Sequence, residues 1–282
     1  NDFSVREVVT CLVAVESAGL VEENKLTEWK NAIASLDPWK CYDCVARKPD
    51  QLIGNWGLFN ADSEYARIWG GFVKEEDAKD YMNLQLATQI RLVDENGMYM
   101  DPHNTQPAYN EYVYPILYDY VPRVLFSFLI NFGYMGEHRD AVVDALEKSA
   151  DLTLKMQSVT GEIPFGGRSA QFMHNECTEA ALLEFYASYF AKKGDAEKAG
   201  QFKRAARLAA EIVGIPFEKI PEAEAFMAER DLHFGGTGAK VRPITACKGT
   251  TCVYGNIDTQ ALAKVIYDRF YIGMRDVKLP HK

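Results

Sequence analysis

Val5-Arg6-Glu7-Val8-Val9-Thr10-Cys11-Leu12-Val13-Ala14-Val15 places apolar side chains at positions 5, 8, 9, 12 and 13, the spacing of one face of an α-helix. A strand would alternate instead. Leu26, Trp29, Ile33 and Leu36 continue the period until Pro38 stops it, so the opening of the chain predicts a helix pair. Farther along, the same reading predicts helices over residues 63–70, 75–92, 112–132, 137–156, 174–192, 195–213 and 258–271, while strand alternation is almost absent. The fold class expected is all-α.

The connections between these segments are of two kinds. Gly133-Tyr134-Met135-Gly136-Glu137 and Lys192-Lys193-Gly194-Asp195 read as plain turns, whereas residues 51–60, 94–110 and 158–176 are long and rich in aromatic and polar groups. Function is expected on the long ones. Two of them share a pattern: Glu95-Asn96-Gly97-Met98-Tyr99 resembles Val159-Thr160-Gly161-Glu162-Ile163, with the glycines 64 residues apart. That interval fits one helical hairpin with its loops. About ten helices paired this way predict a toroid-like array of antiparallel hairpins, possibly incomplete, because each hairpin must bury its apolar face against neighbours. The array is assigned to residues 1–214. Pro216, Pro221, Gly235, Gly236, Gly238, Pro243 and Gly249 mark residues 215–282 as a loop-rich segment with a last helix, packed on the same domain.

Composition narrows the function. A 282-residue chain with 48% hydrophobic and 12% aromatic residues can bury a large core. Its formal charge of −9 without a long basic run argues against nucleic acid as a partner. Local cations such as Arg67, Arg123 and Arg168 still leave room for an anionic glycan. No apolar run approaches the ~20 residues that span a bilayer, so a soluble protein is expected, with no membrane partner. The chain starts at Asn1 almost directly in helical pattern, which predicts either a removed targeting segment, with secretion or a periplasmic place, or excision from a longer chain; without such a segment the place expected is cytoplasmic. Cys41 with Cys44, and Cys247 with Cys252, lack the paired spacing of a zinc site, so no metal is expected and partly buried thiols are. Nucleotide, serine-hydrolase and zinc-peptidase motifs are absent, and no cofactor is expected.

The stretch Thr160-Gly161-Glu162-Ile163-Pro164-Phe165-Gly166-Gly167-Arg168-Ser169-Ala170-Gln171-Phe172-Met173-His174-Asn175-Glu176 carries the densest chemistry. Its glycines and Pro164 shape a loop. Glu162, Arg168, Gln171, His174, Asn175 and Glu176 then bring acid, base, cation and amide groups together. The plain alternative is a helix start, with Asn175 or Ser169 as cap and Glu176 or Glu179 favoured by the helix dipole.

Asn55-Trp56-x-x-Phe59-Asn60-x-x-Ser63-Glu64-x-x-Arg67, Gly97-x-Tyr99-x-Asp101 and Gly166-Gly167-Arg168-Ser169-x-Gln171-Phe172-x-His174-Asn175-Glu176 together resemble α/α-toroid carbohydrate-active enzymes, over roughly residues 52–213. These include uronic-acid-releasing glycoside hydrolases and heparinase-like polysaccharide lyases. The resemblance implies a carbohydrate substrate held in a groove, with Trp56, Tyr99, Tyr109 and their neighbours stacking on sugar rings and Asn55 and Asn175 among the polar contacts. Trp69, inside an apolar segment, is expected in the core.

Two chemistries remain open on these residues. Hydrolysis needs a proton donor and a second carboxylate about 5 to 10 Å away. Glu176 with Asp101 is the expected pair, Asp119 and Glu111 being other acids near enough in sequence, and Arg168 would grip a substrate carboxylate through its planar fork. Elimination instead needs a Tyr or His base and groups that neutralise the enolate, for which His103, Tyr109, His174, Asn175, Gln171 and Arg168 are available. The lyases often carry an aromatic-Gln-His sequence that Tyr99-Met100-Asp101-Pro102-His103 does not keep, so hydrolysis is favoured. A non-catalytic helical repeat protein that binds glycan or protein on its concave face is the third reading.

Overall fold

The computed structural model describes residues 4–42, 54–101, 116–164 and 174–213. Among them regular structure is helical: α1 (Val5–Ala18), α2 (Glu23–Ala34), α3 (Pro38–Cys41), α4 (Trp56–Trp69), α5 (Glu75–Ile90), α6 (Ile116–Asn131), α7 (Arg139–Met156), α8 (His174–Lys192) and α9 (Ala196–Val213). Extended pairing is confined there to one antiparallel bridge, Val93 with Tyr99. These residues are all-α, as the apolar period predicts. No helix among them is long and apolar enough to cross a membrane. The segment 215–282, its expected helix at 258–271, and Cys44, Cys247 and Cys252 lie outside the described residues.

Four hairpin turns are built alike. Gly19, Gly71, Gly133 and Gly194 all have positive φ, from 63° to 84°. In each turn the glycine N–H reaches the carbonyl three residues back, and the next N–H reaches the carbonyl five residues back, as in Gly133 to Ile130 and Tyr134 to Leu129. This satisfies carbonyls that the helix end leaves open. From Gly71 to Gly133 is 62 residues and from Gly133 to Gly194 is 61, so the turn returns once per hairpin.

The 64-residue pattern seen in sequence also returns in backbone. Asp94 N–H bonds Met98 O at 2.8 Å, and Ser158 N–H bonds Glu162 O at 3.0 Å. The Asp94 carboxylate accepts the N–H groups of Asn96 and Met98. Ser158 Oγ accepts those of Thr160 and Glu162 in the same positions. Gly97 and Gly161 both take positive φ, 81° and 100°, and the residue two places on, Tyr99 or Ile163, is buried. A Cβ on Gly161 would lie 2.6 Å from the Leu208 backbone carbon, while one on Gly19 would meet nothing within 4 Å. Gly19→Ala should therefore cost about 1 kcal/mol, from the left-handed backbone alone. Gly161→Ala should cost about 3 kcal/mol because strain and clash combine. Chemical denaturation of the two variants checks this; equal losses would contradict it.

Burial alternates along the chain. α4, α6 and α8 are buried almost all round, whereas α5, α7 and α9 each keep an exposed polar face. The sequence reading gives residues 51–60 to a connection, yet α4 starts at Trp56. Gly57 explains the difference: a Cβ there would lie 2.6 Å from Gln85 Oε1 and Gln89 Nε2, so the glycine serves the close approach of α4 and α5 rather than a loop.

The described residues fall into two compact groups. The first holds α1 to α5 with α6 from Leu125 and α7 to Glu147. Val5, Val9, Tyr42, Ala66, Tyr81 and Phe128 form its core cluster. Trp69 departs from expectation, being 39% exposed, because it sits on the last turn of α4 and packs only its edge on Phe132. Arg67, read as a cation available to a ligand, is instead buried. It donates to Glu64 at 2.7 Å and to the carbonyls of Ala34, the last residue of α2, and Leu36, while Tyr42 donates to the same Glu64 at 2.6 Å.

The second group holds α6 up to Val124, α7 from Lys148, α8 and α9. Phe190 stacks on Phe202 at 5.5 Å and Tyr186 lies against Phe202 at 4.9 Å, joining α8 to α9. Lys203 of α9 is buried and donates to Glu184 of α8 at 2.7 and 2.8 Å.

Candidate active site

The head of α8 gathers most of the chemistry in the second group. Asn175, Glu176 and Glu179 are all buried there, on the first turns of a helix that continues as Ala180-Ala181-Leu182-Leu183. Glu176 and Glu179 are three residues apart and so share one side of the helix. The helix dipole favours negative charge at this end.

Three elements face Glu179. From its own helix comes Glu176; from the turn after α7 come Gln157 and Glu162; from α6 come Arg123 and Tyr120. Burial raises the Glu179 carboxyl well above the usual range, and the charges of Glu176 and Glu162 raise it further against the pull of Gln157 and Arg123. Gln157 and Arg123 are the amide and the cation that oppose this rise, and both also bond elsewhere. The Gln157 amide spends its hydrogens on the carbonyls of Ala205 at 2.9 Å and Gly161 at 3.4 Å. Arg123 is bonded to both oxygens of Asp119 and to Thr153. Both Glu179 oxygens are thus left without a hydrogen-bond donor among the described residues.

Tyr120, one residue after Asp119 on α6, is also fully buried, and its hydroxyl has no partner among the described residues. Burial and the neighbouring Glu179 charge push this phenol upward. Arg123 lies over its ring, 4.7 Å from the centroid. Asp119 is therefore the counter-ion of Arg123, not an acid free to face the α8 loop, and Arg123 is not a free subsite cation. Cys177 lies beside Glu176, and its thiol is pushed up to about 12 by burial and by that charge, so it is not a thiolate nucleophile.

The other expected residues divide as follows. Glu162 belongs to the turn that leads out of α7, where its carboxylate accepts from Ser158 Oγ at 2.7 Å and from Thr160 Oγ1, so it closes that turn. In the first group, Asp101 is half-buried and accepts the Asn55 N–H at 3.2 Å, holding the approach to α4. Asn55 is buried, and Trp56, the first residue of α4, is half-buried. Tyr99 is fully buried with its hydroxyl on Gln89, so its ring belongs to the core and not to a stacking platform. His174 begins α8, and its side chain is outside what is described. His103, Tyr109, Arg168 and Gln171 lie outside the described residues. Among the described residues no three His, Cys, Asp or Glu side chains stand together as metal ligands.

Glu179 and Tyr120 are the members that sequence reasoning missed. The signal for Glu179 was present: an acid followed directly by the apolar run Ala180-Ala181-Leu182-Leu183. It was read as a helix-dipole residue instead. Tyr120 gave no signal, since a Tyr in an apolar helix is ordinarily core. Against known proteins, no family model, no curated protein and no solved structure matches this chain.

Proposed function

We propose that the protein cleaves glycosidic bonds of a uronic-acid-containing glycan by hydrolysis, with the head of α8 as the reacting site and Glu176 as one of two carboxylates. The observation that carries this reading is a second buried carboxylate, Glu179, set beside Glu176 with neither oxygen hydrogen-bonded among the described residues. Packing alone disfavours this arrangement, because a buried acid ordinarily keeps a counter-ion. Glycoside hydrolysis gives such a pair a use, since one carboxyl must hold a proton while the other does not. Asp101, the partner named from sequence, belongs to the other compact group, and Glu179 is the partner proposed.

Arg168 supplies the fork for the substrate carboxylate, and Asn175 and Gln171 supply polar grips. A toroid-like array of hairpins is the arrangement proposed for the body. Its support is the return of one capped hairpin every 61 or 62 residues and the alternation of buried with half-exposed helices.

Glu176→Gln and Arg168→Ala should each lower turnover by about 10³-fold or more, with far-ultraviolet circular dichroism and melting nearly unchanged. Unfolding of both variants would assign the α8 head to structure and overturn the reading.

A further inference from the structure

We infer that Glu179 is the proton donor of this reaction, handing its carboxyl hydrogen to the glycosidic oxygen as the bond to the sugar breaks. The inference rests on the hydrolysis proposed above and adds the residue that performs its acid step. Three observations support it besides the chemistry of the reaction. Both Glu179 oxygens lack a donor among the described residues although the residue is fully buried. The Tyr120 hydroxyl, on a different helix, is buried and unpartnered as well, and the two groups interact electrostatically. Buried polar atoms in folded proteins are ordinarily satisfied, so two orphans from two helices mark a place that a polar ligand completes.

The charges around Glu179 set which ligand suits it. Glu176 and Glu162 are acidic, Gln157 opposes their effect while also donating to two carbonyls, and Arg123 is bonded to Asp119 and Thr153. Burial and these charges favour the protonated form of Glu179, and a carboxylic O–H inside a protein needs an acceptor. A glycosidic oxygen offers lone pairs and no hydrogen, which matches. The adjoining Tyr120 hydroxyl can both give and take a hydrogen bond, which fits a sugar hydroxyl.

The step balances as an ordinary hydrolysis. The bond between the anomeric carbon and the glycosidic oxygen breaks with its electron pair going to oxygen, which takes the Glu179 proton. Water supplies the new carbon–oxygen bond, and its released proton passes to the Glu176 carboxylate. One water is consumed, and the proton returns from Glu176 to Glu179 before the next cycle.

The test compares wild type with Glu179→Gln, which keeps the shape of the side chain, on a uronic-acid oligosaccharide and on an aryl uronide. An aryloxide leaves without needing a proton, so loss of the donor should spare it. The expected result is a loss of about 10³-fold on the oligosaccharide and less than about 10-fold on the aryl substrate. Equal losses on both, or no loss on the oligosaccharide, would overturn the donor role. Infrared spectra at pH 7 give a readout without substrate: a protonated-carboxyl C=O band present in wild type and missing in Glu179→Gln is expected. Its absence from wild type would overturn the inference too. Wild type inactive on both substrates would sink the hydrolysis reading along with it, whereas active wild type with parallel losses would sink the donor assignment alone.

Discussion

Replacing Glu179 by Gln should stabilise the folded protein at pH 8 by about 2 kcal/mol, roughly 5 °C in melting temperature, while removing turnover of oligosaccharides. The gain follows from what the carboxyl costs. Glu179 is buried, its oxygens have no donor among the described residues, and its affinity for a proton is raised, first by burial and then by the Glu176 charge. For a group shifted upward, its contribution is fully present below the unfolded value, here about 4.5, and is lost as pH rises through the folded value. Glutamine does not titrate and escapes that loss. Variant and wild type should therefore melt alike near pH 4 and separate as the pH rises. A gain in stability joined to a loss of activity is the mark of a residue kept for its chemistry. Melting curves between pH 4 and pH 9 check it, and a variant less stable at pH 8 would mean that Glu179 is held by packing.

The second large effect has the opposite sign. Lys203→Ala should destabilise the protein by about 4 kcal/mol, because it leaves the buried Glu184 carboxylate without its counter-ion. The pair is 5% and 0% exposed, so water cannot take the place of the lysine. Burial raises the Glu184 carboxyl while Lys203 opposes the rise, and removing Lys203 leaves the upward push alone. The deficit should thus shrink in acid, as Glu184 takes up a proton. The double change Lys203→Met with Glu184→Leu should recover most of the loss, since apolar groups of similar volume carry no desolvation cost. Denaturant titration of the three variants measures this, and a Lys203→Ala loss below about 1 kcal/mol would show the pair to be solvated.

The helices were legible because their apolar spacing is written directly into the chain, as in Val5, Val9 and Leu12, which are all buried. The turns at Gly133 and Gly194 were legible through their glycines, since left-handed backbone selects that residue. Likewise Glu95–Tyr99 and Val159–Ile163 look alike in sequence because the turns they make share their hydrogen bonds. The start of α4 was not legible. Gly57 reads as a loop residue when seen alone, and its reason, the side chains of Gln85 and Gln89, stands on another helix.

Charges were the harder part of the site. Arg67 and Arg123 look like available cations in sequence, yet each is buried in a pair, with Glu64 or Asp119. Periodicity reports which face of a helix is apolar, but pairing across helices depends on packing that it does not encode. The head of α8 shows both sides of this. Glu176 and Asn175 stood out by the density of polar residues before them, whereas Glu179 gains its character only from burial and from Glu176, Glu162 and Arg123 around it.

The most direct measurement is incubation of the protein with a panel of uronic-acid polysaccharides and oligosaccharides, following reducing ends together with absorbance near ~232 nm, where the double bond formed by elimination absorbs. New reducing ends without a rise in absorbance are the predicted result. Reducing ends accompanied by rising absorbance would mean elimination, with a Tyr or His base in place of the carboxylates, and no change in either signal across the panel would contradict the carbohydrate-cleaving account itself.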